Sequence, residues 1–123
     1  MFTSLEANDI LFIDSSHVVK PGGDTLFEIL TILPTLRPGA LVHFHDIFTP
    51  LDYPEEWVLK RRYLWTEQYL LEAFLTLNRE YEIIGALNYM KNRHPELVAE
   101  KLPILGAHID SRDPGSIWLR KTA

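Results

Sequence analysis

Two apolar runs of this chain each end in residues that could do chemistry. Asp14-Ser15-Ser16-His17 follows the first run, and His45-Asp46 ends the second. Carboxylates and imidazoles act as general acids and bases near neutral pH, and they also bind divalent metal ions. The sequence therefore predicts one of two sites here. It is either an acid/base pair that takes a proton from a hydroxyl group or a metal site.

The histidines differ in their sequence surroundings. His17 lies just past a strand end, beside the turn-forming residues 18–23, and we predict that it is the general base. His43 lies inside the second apolar run, where we expect a core imidazole with hydrogen-bond partners. His45 shares a sheet face with His43 but lies nearer the strand end, so a catalytic and a structural role both stay open. Alternation predicts that Asp46 points away from His45.

The residues after the first run also have two interpretations. Asp14 is either functional or a carboxylate that caps the following turn. Ser15 and Ser16 are predicted to form the turn rather than to act as nucleophiles, because no G-x-S-x-G motif surrounds them.

The elements that must position these residues form a strand-helix-strand unit. Ile10–Ile13 is apolar at every position, as a strand covered on both faces must be. Asp24 is the predicted cap of a helix that ends near Leu36, and residues 40–46 form the second strand. Such a crossover is right-handed and places the two strands parallel, so their carboxyl ends share one edge of the sheet. The predicted buried stripe of this helix is Leu26, Phe27, Ile29, Leu30 and Leu33.

Downstream, the chain continues as an aromatic loop, two helices and alternating strands and loops. The predicted ranges are a loop at 47–56, helices within 57–78 with Thr66 as a cap, a strand at 81–87, a helix at 95–101, a loop at 106–115 and a strand at 116–121. The buried stripe of the longer helix is predicted as Leu70, Leu71, Phe74, Leu75 and Leu77. Five aromatic residues either line an acceptor pocket or make core contacts: Phe48, Tyr53, Trp57, Tyr63 and Trp65. The order predicts an α/β fold with an open, mainly parallel sheet.

Composition excludes several classes of protein. The chain has 123 residues, a net charge of -5 and no cysteine, which predicts one globular domain over 1–123 without disulfides, thiolate nucleophiles or Cys-bound metals. The acidic balance argues against binding to nucleic acid or to an anionic membrane. No secretory signal or apolar run of spanning length is visible, so we expect a cytoplasmic protein. None of the six glycines forms a G-x-G-x-x-G or P-loop motif, so no backbone cradle for a nucleotide is predicted.

Three segments carry a family resemblance. Residues 9–17, the pattern Leu33-Pro34-x-Leu36-x-Pro38-Gly39-x-Leu41-Val42, and residues 57–59 with 67–74 resemble the carboxyl half of class I S-adenosylmethionine-dependent methyltransferases, in a small-molecule O-methyltransferase-like subgroup. The resemblance covers most of the chain, from about Asp9 to Lys121. It implies a partial Rossmann-like sheet with helices on its faces, in which the last strand inserts antiparallel between the second and third strands.

The resemblance also implies a function. The chain is expected to be the C-terminal half of a longer methyltransferase, inactive alone, because the family's first three strands and glycine-rich loop have no counterpart in it. The cofactor of the full-length parent would be S-adenosylmethionine, with Asp14 and Ser15 as cofactor contacts. The acceptor would be a hydroxyl of a small molecule, such as a sugar or a polyketide-derived metabolite, and the catalytic residues would be His17, Asp14 and His45. The alternative is a non-catalytic interaction or dimerisation module that kept the scaffold.

A metal and an oligomer are further expectations. Asp14 and Asp46 match two aspartates of metal-dependent, catechol-type O-methyltransferases, which implies a divalent ion such as magnesium, although Ile47 occupies the family's asparagine position. Without a neighbour, strand Ile10–Ile13 would expose unpaired backbone groups on an apolar edge. We therefore predict a homo-oligomer through that edge.

Overall fold

A computed structural model describes residues 2–123 as a four-stranded open sheet with helices, in strand order β1-β2-β4-β3. The strands are β1 (Ile10–Ile13), β2 (Leu41–His45), β3 (Tyr81–Ala86) and β4 (Ser116–Lys121). β1 pairs parallel to β2, and β4 lies antiparallel between β2 and β3. The α/β class and the insertion of the last strand between the second and third are therefore confirmed.

Seven α-helices and one π-helical turn connect these strands within residues 2–123. They are α1 (Asp24–Phe27), the π-helical turn (Glu28–Ile32), α2 (Leu33–Thr35), α3 (Glu55–Leu59), α4 (Glu67–Leu75), α5 (Leu87–Arg93), α6 (Pro95–Lys101) and α7 (Pro103–Gly106), after a short 3-10 turn at Phe2–Ser4. The bounds of α6 agree with the prediction. α5 was not predicted, because Leu87–Arg93 has no clear apolar period.

The first connecting helix differs from its prediction in two ways. It is not uniform, because a π-helical turn separates α1 from α2. Asp24 is the first residue of α1 rather than its cap, and the carboxylate accepts hydrogen bonds from the N–H groups of Ser16 and Thr25. It therefore ties the loop after β1 to the start of α1.

The core lies between one face of the sheet and the helices that cross it. Its fully buried members come from β2, β4, the π-helical turn, α2 and α4, and include Val42, Phe44, Leu119, Ile29, Leu33 and Leu71. Phe27 and Leu30, predicted to be buried, are exposed, because the π-helical turn rotates the helical period at this point. Leu77 is also exposed, because α4 ends at Leu75 and Leu77 adopts a positive φ of 59°.

β1 lies at the edge of the sheet. Within residues 2–123 its single strand partner is β2, and Ile10 and Phe12 are 52% and 58% exposed. The expectation that Ile10–Ile13 is covered on both faces is wrong, because the face that carries Ile10 and Phe12 is open to solvent. The oligomer expected through this edge stays a prediction. Among the described helices, none combines the length and apolar character needed to cross a bilayer.

Candidate functional site

The carboxyl ends of β1 and β2 bring four predicted residues together. Nε2 of His17 lies 3.3 Å from Oδ1 of Asp14 and 4.0 Å from Oδ2 of Asp46. Nδ1 of His45 lies 3.1 Å from Oδ1 of Asp46 and 3.8 Å from Oδ1 of Asp14. Parallel pairing of Ile13 with Phe44 places both strand ends at this edge, as the strand-helix-strand unit predicts.

The backbone after each strand turns sharply to form this cluster. His17 has φ 57° and Asp46 has φ 55°, both in the left-handed region that few non-glycine residues adopt. The prediction that Asp46 points away from His45 is wrong, because the left-handed turn ends strand alternation at this residue. The N–H of Asp46 donates to the carbonyl oxygen of Gly115 at 2.6 Å, so the loop before β4 holds the turn in place.

The start of α4 holds His17 from the other side. The N–H groups of Thr66 and Glu67 both donate to the carbonyl oxygen of His17, at 2.8 and 3.1 Å. The hydroxyl of Thr66 accepts from the N–H of Val19, so it does not make the cap bond expected of it. Oε2 of Glu67 lies 2.7 Å from Nδ1 of His17, and Glu67 has no exposed surface. Backbone and side chain of His17 are therefore both fixed by the first turn of one helix.

The charges around His17 set its protonation. Burial of the ring lowers its pKa, but the hydrogen bond and negative charge of Glu67, with smaller contributions from Asp46 and Asp14, raise the pKa above its usual value of 6.5. A general base works best when its pKa lies near the working pH, because enough of it is then unprotonated and it still binds a proton strongly. The arrangement can therefore accept a proton at Nε2 and stabilise the resulting imidazolium through three carboxylates.

Ser15 faces away from this cluster. Its hydroxyl donates to Oε2 of Glu28 at 2.8 Å, on the π-helical turn. Burial raises the pKa of the Glu28 carboxyl, although this hydrogen bond opposes the rise. The predicted role of Ser15 as a cofactor contact stays a prediction.

Aromatic rings form a continuous wall beside His17. Trp65 lies 4.3 Å from the His17 ring, and it contacts Tyr63 at 4.8 Å and Trp57 at 5.2 Å between ring centroids. Phe48 and Tyr53 extend the wall and are buried. Phe48 and Tyr53 therefore make core contacts, which is one of the two roles predicted for these aromatic residues. Tyr63 is exposed to solvent, so the other predicted role, lining an acceptor pocket, stays open for it.

His43 is buried as predicted, but it lacks the expected hydrogen bonds. Neither ring nitrogen has a hydrogen-bond partner among the described residues. The ring stacks on Phe12 at 4.7 Å and meets the edge of Trp118 at 4.5 Å. Burial, with a smaller contribution from His45, lowers the pKa of His43, so the ring is neutral near pH 7.

Part of the loop after β1 is already used internally and does not face a nucleotide-type cofactor. Two backbone N–H groups that could face a ligand in the loop after β1, those of Ser16 and Thr25, already donate to Asp24. In the same loop, Gly23 packs against Lys20.

A metal ion is better matched to the donor set. Asp14, His17 and Asp46 each offer one ligand atom, and these atoms lie within 4.8 Å of one another. Two carboxylates and an imidazole suit a divalent ion. Such an ion would polarise an acceptor hydroxyl and so lower its pKa. The predicted metal role of Asp14 and Asp46 stays a prediction.

Sequence reasoning missed one residue of the site, Glu67, and it did not connect Trp65 with His17. Glu67 lies 50 positions after His17, and no local spacing connects them. Its position directly after Thr66, at a helix start, is typical of a first-turn acidic residue that interacts favourably with the helix dipole. Only the packing of α4 against the loop after β1 reveals its partner.

Comparison with known proteins gives one match. Residues 2–47 match a family described as "Methyltransferase domain". Neither the comparison with curated proteins nor that with solved structures gives a match. The matched segment contains β1, β2, Asp14, His17, His45 and Asp46, whereas Glu67 lies outside it. The match and the α/β fold with its open four-stranded sheet together support a methyltransferase-like domain.

Proposed function

We propose that this chain forms the acceptor side of an S-adenosylmethionine-dependent O-methyltransferase for small molecules, and that it does not catalyse methyl transfer alone. The observation that carries this proposal is the position of His17. Its Nδ1 is held by buried Glu67 while its Nε2 faces Asp14 and Asp46 at the strand ends. Open α/β sheets bind their ligands at this edge.

The chemistry assigned to these residues is proton removal. When bound, S-adenosylmethionine would supply the methyl group: the bond from the methyl carbon to the sulfonium sulfur would break, with its electron pair left on sulfur, as the acceptor oxygen bonds to that carbon. The proton of the acceptor hydroxyl would pass to Nε2 of His17. Glu67, Asp14 and Asp46 then stabilise the imidazolium. Trp65 restricts water on one face of the ring, since the two rings lie 4.3 Å apart. His45 is held beside Asp46 and orients that carboxylate.

The loop after β1 uses the N–H groups of Ser16 and Thr25 internally and has no glycine-rich motif. In this proposal, S-adenosylmethionine is therefore bound mainly by residues outside the 123-residue chain. Calorimetry with the 123-residue chain should therefore show binding no tighter than about millimolar, equivalent to about 4 kcal/mol. Micromolar affinity would contradict the proposed division between cofactor and acceptor sides.

The activity test uses the chain together with any coding sequence that precedes it in frame in its source gene. Methylation of a panel of small hydroxylated compounds should be detected for that longer protein and not for the chain alone. His17→Asn should lower the rate by about 10²- to 10⁴-fold, the range for loss of a general base. His94→Asn is the matched control, because it makes the same change at an exposed histidine directly before α6. An unchanged rate in His17→Asn would remove the proposed base.

The proposed metal is tested by thermal melting. An ion that binds only the folded state must raise the melting temperature. A metal at Nε2 of His17 would occupy the lone pair that a general base needs, so this test decides between the two roles. If the site holds a metal instead of a free base, magnesium, manganese or zinc raises the melting temperature and Asp46→Asn abolishes the increase. No shift with any of the three ions would leave Asp14 and Asp46 as purely electrostatic partners of His17.

One observation favours a second candidate, an interaction module that assembles through β1. Ile10 and Phe12 are more than half exposed beside a strand edge without a described partner. Pairing with a second copy would satisfy this edge and bury both side chains. Light scattering at micromolar concentration should then report a dimer, and Phe12→Lys should weaken it. A monomer over the whole concentration range would contradict assembly.

A further inference from the structure

We infer that Glu67 is a positioning residue that fixes the tautomer of His17, so that Nδ1 carries the proton and Nε2 is the free base. The role of this tautomer in catalysis rests on the proposed function. The tautomer itself is a property of the folded chain and can be measured without any reaction.

The first step of the argument is the pair itself. Oε2 of Glu67 lies 2.7 Å from Nδ1 of His17. An ionised carboxylate only accepts hydrogen bonds, so Nδ1 must be the donor. In a neutral imidazole with Nδ1 protonated, Nε2 carries the lone pair. Nε2 is also the nitrogen that faces Asp14 and Asp46 at the open strand ends.

The second step is that the ring cannot readily turn over. Trp65 lies against its face, and the backbone of His17 is held by the N–H groups of Thr66 and Glu67. His17 itself adopts a left-handed φ of 57°. The same helical turn therefore fixes both where the ring stands and which nitrogen it presents.

The third step is that this arrangement is poorly explained by stability alone. Glu67 is fully buried, yet its second oxygen, Oε1, has no hydrogen-bond partner among residues 2–123. Replacing a buried charged pair by apolar residues of similar size is often neutral or stabilising. A buried carboxylate with one oxygen unbonded costs stability, so its presence here points to a functional requirement.

The experiment is NMR of the ring nitrogens in the 123-residue chain labelled with ¹⁵N-histidine, at a pH well above the midpoint of His17. The wild-type ring should be protonated at Nδ1 and bare at Nε2. Glu67→Leu should shift the ring toward the Nε2-protonated form. Glu67→Gln keeps an acceptor oxygen, so it should retain the Nδ1–H form with a weaker hydrogen bond and an upfield shift of that proton.

Glu28→Gln is the matched control, because it neutralises a neighbouring carboxylate that bonds to Ser15 rather than to His17. It should leave the wild-type pattern unchanged. A wild-type ring protonated at Nε2 would overturn the assignment even if Glu67→Leu fails to fold. An Nδ1–H ring combined with full activity of His17→Asn would keep the tautomer assignment and reject only the base role.

Discussion

His17 and His43 are buried to a similar degree, at 6% and 9% exposure, yet their surroundings drive their pKa values in opposite directions. His17 stands among the carboxylates of Glu67, Asp46 and Asp14. His43 stands between the rings of Phe12 and Trp118, with neither nitrogen bonded. Burial lowers the pKa of both rings. The difference therefore comes from Glu67, which bonds directly to the ring of His17, whereas the weaker pull of Asp14 on His43 does not offset burial.

This contrast separates a chemical site from a packing site on neighbouring strands. A histidine that can exchange protons near neutral pH needs both a partner for one nitrogen and access for the other. His17 has both, because Nδ1 is held by Glu67 and Nε2 faces half-exposed Asp14. His43 has neither, so we assign it a structural role.

The largest expected effect comes from removing the partner that distinguishes His17. Glu67→Leu should destabilise the fold by about 3–5 kcal/mol, because one member of a buried charged pair is left alone. Urea denaturation measures the loss. The double variant His17→Phe, Glu67→Leu should recover most of it, since both polar partners are then replaced. Additive losses in the double variant would mean that the two residues do not act as a pair.

The pH dependence of stability should differ in sign between the two histidines. The folded pKa of His17 is raised, so its contribution is complete below about pH 6.5 and is lost as the pH rises through the folded pKa. Each unit of pKa difference is worth about 1.4 kcal/mol. The stability advantage of wild type over Glu67→Gln, measured by urea denaturation from about pH 5 to about pH 9, should shrink as the pH rises. An advantage that grows with pH would contradict the pairing.

His43→Phe should stabilise the protein by about 1 kcal/mol at neutral pH, because it removes a buried polar ring without partners while keeping the stack on Phe12. The folded pKa of His43 is lowered, so its wild-type contribution is present above about pH 6.5 and is lost as the pH falls toward the folded pKa. The variant should therefore lose less stability in acid. His94→Phe, at an exposed histidine, should change neither quantity. Destabilisation by His43→Phe would indicate a hidden polar partner.

The smallest expected effect lies in the loop that leads to His17. Asp24→Ala removes the carboxylate that accepts from Ser16 and Thr25, and hydrogen bonding from Ser16 lowers the pKa of Asp24. Because the group is exposed to solvent, we expect a loss of only about 0.5 kcal/mol at pH 7, which disappears as the pH falls through the folded pKa. Thermal denaturation compares it with Asp110→Ala, an exposed aspartate outside this loop. Equal losses in the two variants would show that the loop does not depend on Asp24.

Sequence patterns predicted the elements better than they predicted the site. The apolar run Ile10–Ile13 and the strand-helix-strand order were sufficient to place Asp14, His17, His45 and Asp46 at one sheet edge, since parallel strands share their carboxyl ends. Strand alternation was not sufficient at Asp46, where a left-handed residue ends the strand. Helical periodicity failed at Phe27 and Leu30, because a π-helical turn changes the period within the segment.

The sequence by itself determined the α/β class, the strand ends that carry carboxylates and imidazoles, and the antiparallel place of the last strand, because these follow from local periodicity and from the resemblance. Only the tertiary structure decided that Glu67 holds His17 and that His43 has no partner. Contacts between residues 50 positions apart depend on how α4 packs against the sheet, and no local pattern encodes that packing.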